Sequence, residues 1–258
     1  MKISYVALIS SLFMTTMAGA QPTASPDSPT DMHRYRGCIA AIPTNAREAE
    51  DFAIQWRARG GGLPARHCQA MAQLEQERFA EASATLVEAA RAAEVEKSPL
   101  AADFWGQAGN AAILAGDNKM ALTYLDTAIA QAGNFSPVRT AGFHIDRARV
   151  HAEGNNLDAS RVDLDKALEL APEDPLAWTL SAALARRAGD PGRATRDIAR
   201  ASELAPSDPD VVFEQGNIAA ANGDVPAARR VWQQVVKAAP LTEAAELAKK
   251  ALAESAGN

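Results

Sequence analysis

Aromatic residues make up only 5% of this 258-residue chain, and cysteine occurs just twice. A core poor in rings has to be built from smaller side chains, and alanine is abundant throughout. Alanine has the best helix propensity and lets neighbouring helices approach, so the composition points to close-packed helices. An excess of basic charge is missing too: 26 Lys and Arg stand against 32 Asp and Glu, a formal net charge of −6. Such a field opposes a phosphate backbone, so nucleic acid is not expected as a partner. The motifs of common chemistries are also absent: there is no GxSxG, Walker-type loop, GxGxxG or HExxH. The expectation is a protein without catalysis and without a cofactor.

Long apolar runs are confined to the start. MKISYVALISSLFMTTMAGA has a basic beginning at Lys2, an apolar centre from Ile3 to Met14 and small residues at Ala18, Gly19 and Ala20. This is the pattern of a secretory signal cleaved before Gln21, which implies export to the periplasm. The alternative, a membrane anchor, is disfavoured by the short run and by Ser10, Ser11, Thr15 and Thr16 within it. Loss of Lys2 and no acid takes the formal charge from −6 to −7. Residues 21–34 open with QPTASPDSPTD, a proline-rich flexible linker.

Cys38 and Cys68 form an even count in an exported chain, which suggests one disulfide. The alternative is two buried free thiols. Neither has CxxC spacing, and two cysteines alone make no zinc site. Of the four histidines, His144 and His151 lie seven apart and share a helix face, but helical metal pairs sit three or four apart. They are expected as packed or partly exposed side chains, with no metal.

What the chain does contain is a repeat. LELAPEDP at 168–175 returns as SELAPSDP at 202–209. A column of small residues reads Ala70, Gly109, Ala148, Ala182, Gly216, and a second reads Ala82, Ala121, Ser160, Ala194, Ala228. A bulky column follows at Leu86, Leu125, Leu164, Ile198, Trp232, then a third small one at Ala89, Ala128, Ala167, Ala201, Val235. Small residues belong where two helices cross closely, and the bulky residue fills the space between pairs. Five units follow, over 63–101, 102–140, 141–174, 175–208 and 209–240. The first two carry five added residues each. An N-terminal segment at 35–62 holds one helix, about Asn45 to Arg59. The last segment, 241–258, holds a polar-faced cap from Thr242 to Ser255. The fold class is all-α, an α-solenoid of about five helix–turn–helix repeats.

This pattern resembles the tetratricopeptide repeat (TPR) family over Leu63 to Pro240. Trp105, Gly109, Gly116, Ala121, Leu125 and Ala128 carry it in the second unit, and Trp178, Ala182, Gly189, Ala194, Ile198, Ala201 and Pro206 in the fourth. The first unit has Glu77 in the turn-glycine column, and the third has His144 in the aromatic column and Asn155 in the turn column. The resemblance implies a concave groove lined by the first helix of each unit, binding another protein or a peptide segment. By register its residues are His67, Gly106, Ile145, Thr179 and Phe213, then Met71, Asn110, Arg149, Ala183 and Asn217, then Leu74, Ile113, Ala152, Arg186 and Ala220. Arg187 falls at the edge. Asn110, Arg149, Arg186 and Asn217 would hydrogen-bond a peptide backbone or carboxylate, and Met71, Ile145 and Phe213 would hold an apolar side chain. Arg193, Arg196 and Arg200 form a basic stripe on the opposite side, within reach of Asp197 and Glu203.

The function implied is an exported TPR scaffold that holds a protein partner for cell-envelope assembly. Two other readings stay open at this point. One is a regulatory or substrate-presenting subunit of an envelope enzyme system, such as cytochrome maturation or peptidoglycan remodelling. The other is a self-assembling structural protein. The oligomeric state is not legible.

Overall fold

The twice-written APxDP phrase is a helix end, a turn and a helix start. In the computed structural model, which describes residues 31–133 and 136–255, Ala171 and Ala205 close one helix and Asp174 and Asp208 cap the next. Each Asp side chain accepts a hydrogen bond from the backbone N–H two residues on, Leu176 and Asp210, at 2.9 Å. Pro175 and Pro209 follow in the first turn, where an absent N–H costs nothing. The expected signal over 1–20, and residues 21–30 of the expected linker, lie outside the described residues.

The described residues form thirteen helices and no strand. They fall into two compact units divided between Gln131 and Ala132. The first contains α1 (Asp31–Ala41), α2 (Ala46–Ala58), α3 (Gly62–Glu75), α4 (Phe79–Val95), α5 (Ala101–Leu114) and α6 (Asn118–Ala132, whose last residue crosses the division). The second contains α7 (Pro137–Glu153), α8 (Leu157–Leu170), α9 (Pro175–Arg187), α10 (Pro191–Leu204), α11 (Pro209–Ala221), α12 (Val225–Ala238) and α13 (Glu243–Glu254). Within each unit sequential helices pack on one another, the arrangement of an α-solenoid.

The columns are the core. The alanines of the three small columns are 0–1% exposed, and the bulky column runs from 0% at Leu86 and Leu125 to 6% at Ile198. Gly216 shows why its column is small. A Cβ there would lie 2.5 Å from Trp232 Cδ1, well inside contact distance. Gly223 is glycine for a different reason: nothing lies within 4 Å of its Cβ position, but its φ is +87°. Both Gly216→Ala and Gly223→Ala are therefore expected to destabilise, each by about 1–3 kcal/mol, one through overpacking and one through backbone strain. Urea unfolding separates the two causes. Trp232→Leu should rescue Gly216→Ala and leave Gly223→Ala unrelieved. Glu77 and Asn155 hold the same left-handed turn (φ 58° each) without glycine, so the turn survives where its residue type does not.

Several boundaries differ from the sequence expectation. Residues 31–34, expected in the linker, begin α1, so 35–62 contributes two helices instead of one. α1 reads DMHRYRGCIAA and buries only Cys38 of its own residues, so it has no apolar stripe to read. α2 buries Ala49, Ala53 and Trp56 at the spacing of Ala82, Leu86 and Ala89 in α4, which makes α1–α2 a further pair ahead of the five. The third unit starts at Pro137, four residues before Ala141, because the added residues there lengthen α7. In the first unit the addition lengthens α4 instead. Glu94, near its end, accepts hydrogen bonds from Trp105 Nε1 at 2.7 Å and from Gln131. α13, capped by Thr242, covers Trp232 and Val235 with Ala244, Ala245 and Ala248 and turns Glu246, Lys249 and Lys250 outward.

Candidate functional site

The three groove columns do not share one fate. The first is largely core: His67 is 5%, Ile145 3% and Thr179 8% exposed, Gly106 is buried, and Phe213 is half-buried against the Trp232 cluster. Ile145 packs with Ala141, Ala167, Ala171 and Ala177 and therefore offers no surface to a ligand. This flank of each first helix is covered by neighbouring helices, which register alone does not reveal. The second and third columns, Met71, Asn110, Arg149, Ala183 and Asn217 with Leu74, Ile113, Ala152, Arg186 and Ala220, are half-buried. Met71 is spent partly on the cluster around Cys38 and Ala53.

Two expected binding residues are occupied within the fold. Arg186 donates through Nε and a terminal nitrogen to the two carboxylate oxygens of Glu214, at 2.6 and 3.1 Å. Asn217 donates to the same carboxylate at 2.9 Å and accepts from Trp232 Nε1 at 3.2 Å. Glu214 is only 6% exposed, so this network serves α9–α11–α12 packing, and a peptide would have to break it. Glu214 was not among the residues singled out from the sequence.

Arg149, Ala152, Ala183 and Arg187 do come together. With Ala148 of α7, Ser160 and Leu164 of α8, and Leu180 and Leu184 of α9, they line an open cleft of about 70 Å³. Arg187 reaches back from α9 to donate to the carbonyl of Ala152 at 3.0 Å. Arg149 stands 3.9 Å from Asp146 with both side chains partly in solvent, a loose pair.

The remaining polar chemistry is structural. Asp163, 2% exposed, accepts from His144 Nδ1 at 2.8 Å and from Arg147 Nε and a terminal nitrogen at 2.9 and 2.6 Å, and His151 Nε2 lies 3.9 Å away. Burial pushes its carboxyl pKa up, but the hydrogen bonds from His144 and Arg147 outweigh this and hold it below the ordinary value. Thirty-four residues on, Asp197 accepts from Ser181 at 2.5 Å and from Arg193 at 3.2 Å. Of the basic stripe, Arg193 pairs with Asp165 and Asp197, Arg200 pairs with Glu173 and Glu203, and Arg196 is exposed. Among the described residues no group of three or more His, Cys, Asp or Glu could hold a metal ion, and no helix is long and apolar enough to cross a membrane.

In the first unit Cys38 and Cys68 lie at disulfide distance, Cα atoms 6.3 Å apart, tying α1 to α3. Beside them His67 Nδ1 accepts from the Tyr35 hydroxyl at 2.7 Å, and Nε2 donates to Gln107 Oε1 at 2.8 Å. Burial holds His67 neutral, its pKa lowered to about 4 against the pull of the Gln107 bond, and pushes Tyr35 up to about 12. An unfolded histidine takes up its proton near 6.5, whereas the folded one resists until about 4. The stability from neutral His67 is therefore complete above pH 6.5 and is lost as pH falls toward 4, by about 3 kcal/mol. Urea midpoints of wild type and His67→Gln between pH 7.5 and 4 check this: the variant should show a shallower acid loss. Equal slopes would refute it.

The sequence profile described as "Tetratricopeptide repeat" matches residues 69–137, 145–209 and 179–241, well over half of the chain. No curated protein matches the chain. Among solved structures it is similar to PilW, titled a widely conserved type IV pilus biogenesis factor, with TM-score 0.64 and 16% identity over 85% of this chain and 98% of that one. It is similar to PilF of Pseudomonas aeruginosa, with TM-score 0.65 and 11% identity over 86% and 97%. YrrB, titled a TPR protein with an unusual peptide-binding site, aligns with TM-score 0.51 and 19% identity over 72% and 91%. At such identities the likeness is one of fold.

Proposed function

Because the chain belongs to the tetratricopeptide-repeat family, we propose that it is an exported, non-catalytic scaffold that holds an extended segment of a partner protein during assembly in the periplasm. The observation that carries this is the cleft over α7, α8 and α9. There, expected groove residues Arg149, Ala152, Ala183 and Arg187 line one open concavity instead of being spent on the core. The fold-level likeness to PilW and PilF supports a role in envelope assembly by analogy, and YrrB supplies a precedent for peptide binding on this fold. Residues 1–20 support export through their pattern alone.

A photocrosslinking amino acid placed at Ala183, and separately at exposed Arg196, tests the reading in the native host. The scaffold predicts a discrete protein adduct from position 183 and none from 196, recovered in the periplasmic fraction with Gln21 as the mature N-terminus. Adducts from 196 alone would move the site off the first-helix face. An uncleaved cytoplasmic chain would remove export.

A further inference from the structure

We infer that the cavity where α9 ends, α10 begins and α11 ends is a second binding site, for an extended segment that places an aliphatic side chain in its floor and a Lys or Arg against Asp190 and Asp224. The cavity lies within the second unit and shares no lining residue with the α7–α9 cleft. The inference therefore goes beyond the scaffold reading and does not depend on it.

Size comes first. The cavity is open and holds about 410 Å³, against about 70 Å³ in the α7–α9 cleft. Ligand sites begin at roughly 300 Å³, so a residue with its flanking main chain fits here. Ala194 and Ile218 line it at 0% and 4% exposure, and both belong to the apolar core cluster of α9, α10 and α11. An aliphatic side chain entering the cavity would extend that core. Pro191 and Ala221, which also line it, are exposed.

Arg186 and Asn222 supply the polar groups. Nε and Nη2 of Arg186 are spent on Glu214, but among the described residues Nη1 has no partner, and 28% of the side chain is exposed. Its two N–H groups can donate to a carbonyl while the pair with Glu214 stays intact. The Asn222 side chain is exposed and makes no hydrogen bond among the described residues. Its amide donates and accepts, which is what a main-chain peptide group offers in return. These groups select an extended segment over a helix, whose main chain is already paired.

Charge selects the neighbouring side chains. Glu214 cancels Arg186. Asp190 sits between the lining residues Gly189 and Pro191, and Asp224 lies two residues after Asn222. Both aspartates are exposed, and neither forms an ion pair among the described residues. Each spends Oδ1 on capping its own helix, accepting from the N–H of Arg193 or Ala227 at 2.9 Å, and so keeps Oδ2 for a cation. Two carboxylates on a chain of formal charge −6 attract Lys or Arg and repel Asp or Glu.

The test titrates isotope-labelled chain from Gln21 onward with the probe Ac-Gly-Ser-Lys-Leu-Lys-Ser-Gly-amide, followed by two-dimensional NMR. Shifts are expected at Gly189, Ala221, Gly223 and the Asn222 side-chain amide. Affinity should fall about tenfold when both probe lysines become Glu, and about as much for Asp190→Asn with Asp224→Asn. Asparagine caps a helix as well as aspartate, so that double variant keeps both helix starts. Ala221→Leu, at an exposed position, fills the cavity and should erase the preference for Leu over Gly in the probe. Asn222→Ala should weaken the Leu and Gly probes alike. Circular dichroism melting confirms that the variants fold. No shift at millimolar probe, shifts confined to the α7–α9 cleft, equal affinity for the Lys and Glu probes, or a Leu preference that survives Ala221→Leu would overturn the inference. The Ala183 crosslink tests the scaffold reading separately, so either can fail while the other stands.

Discussion

Asp163→Ala is expected to destabilise the second unit by about 3–5 kcal/mol. The deletion leaves His144 and Arg147 facing a space where a 2%-exposed carboxylate had accepted three of their hydrogen bonds. Arg147 keeps 22% of its side-chain surface and can turn toward water, so the lower half of that range is the closer expectation. His144 is 8% exposed and has less room to escape. The pH dependence distinguishes this from a plain cavity. Because the folded carboxyl lies below its ordinary value, the stabilisation is complete above pH 3.8 and is lost as pH falls through the lower folded value. The gap between wild type and variant should therefore shrink in strong acid. Urea midpoints followed by far-UV circular dichroism from pH 7 to 2.5 measure it, and a constant gap would show that packing, not charge, sets the effect.

Replacing Cys38 and Cys68 together by alanine should release α1 from α3. The loop they close spans a sequence separation of 30, worth about 3–4 kcal/mol in the chain-entropy model. α1 has little else to hold it. Cys38 is its only fully buried side chain, supplemented by half-buried Tyr35 and Ile39. Eleven residues are also too few for a helix to persist alone in water. Hydrogen exchange is the sensitive readout: amides of α1 should approach unfolded rates, with α9 and α10 as an internal reference. Loss of α1 would also free the Tyr35 hydroxyl from His67 and admit water to the ring, so the histidine should titrate closer to 6.5. Unchanged protection over residues 31–41 would show that packing, not the disulfide, retains α1.

Some of the structure was legible because it repeats. Gly216 and Trp232 belong to columns seen five times over, and a column reports a contact whose geometry each unit rebuilds. The Asp-Pro starts were equally open to reading, since a cap acts through its own neighbours. The candidate site was less so. Ile145 and Arg149 lie four apart on α7, yet one packs in the core and the other lines the cleft. The charge network left one faint trace. Arg78–Glu50, Arg186–Glu214 and Arg193–Asp165 all pair across 28 residues, six short of the 34-residue period, a spacing that gains meaning only once helices from successive pairs are set side by side.

The sequence by itself determined the helical period, the small and bulky columns, the caps and turns, and through them the family, because these depend on interactions within one repeat. Only the tertiary structure decided which of the expected groove residues are covered or paired within the fold. Arg186 and Asn217 are paired with Glu214, His67 with Tyr35 and Gln107, and Ile145 is packed in the core, while Arg149 and Arg187 line an open cleft. The physical reason is that burial and charge pairing are settled by neighbours distant in the chain, and a periodic pattern gives a residue's column without saying what lies across from it.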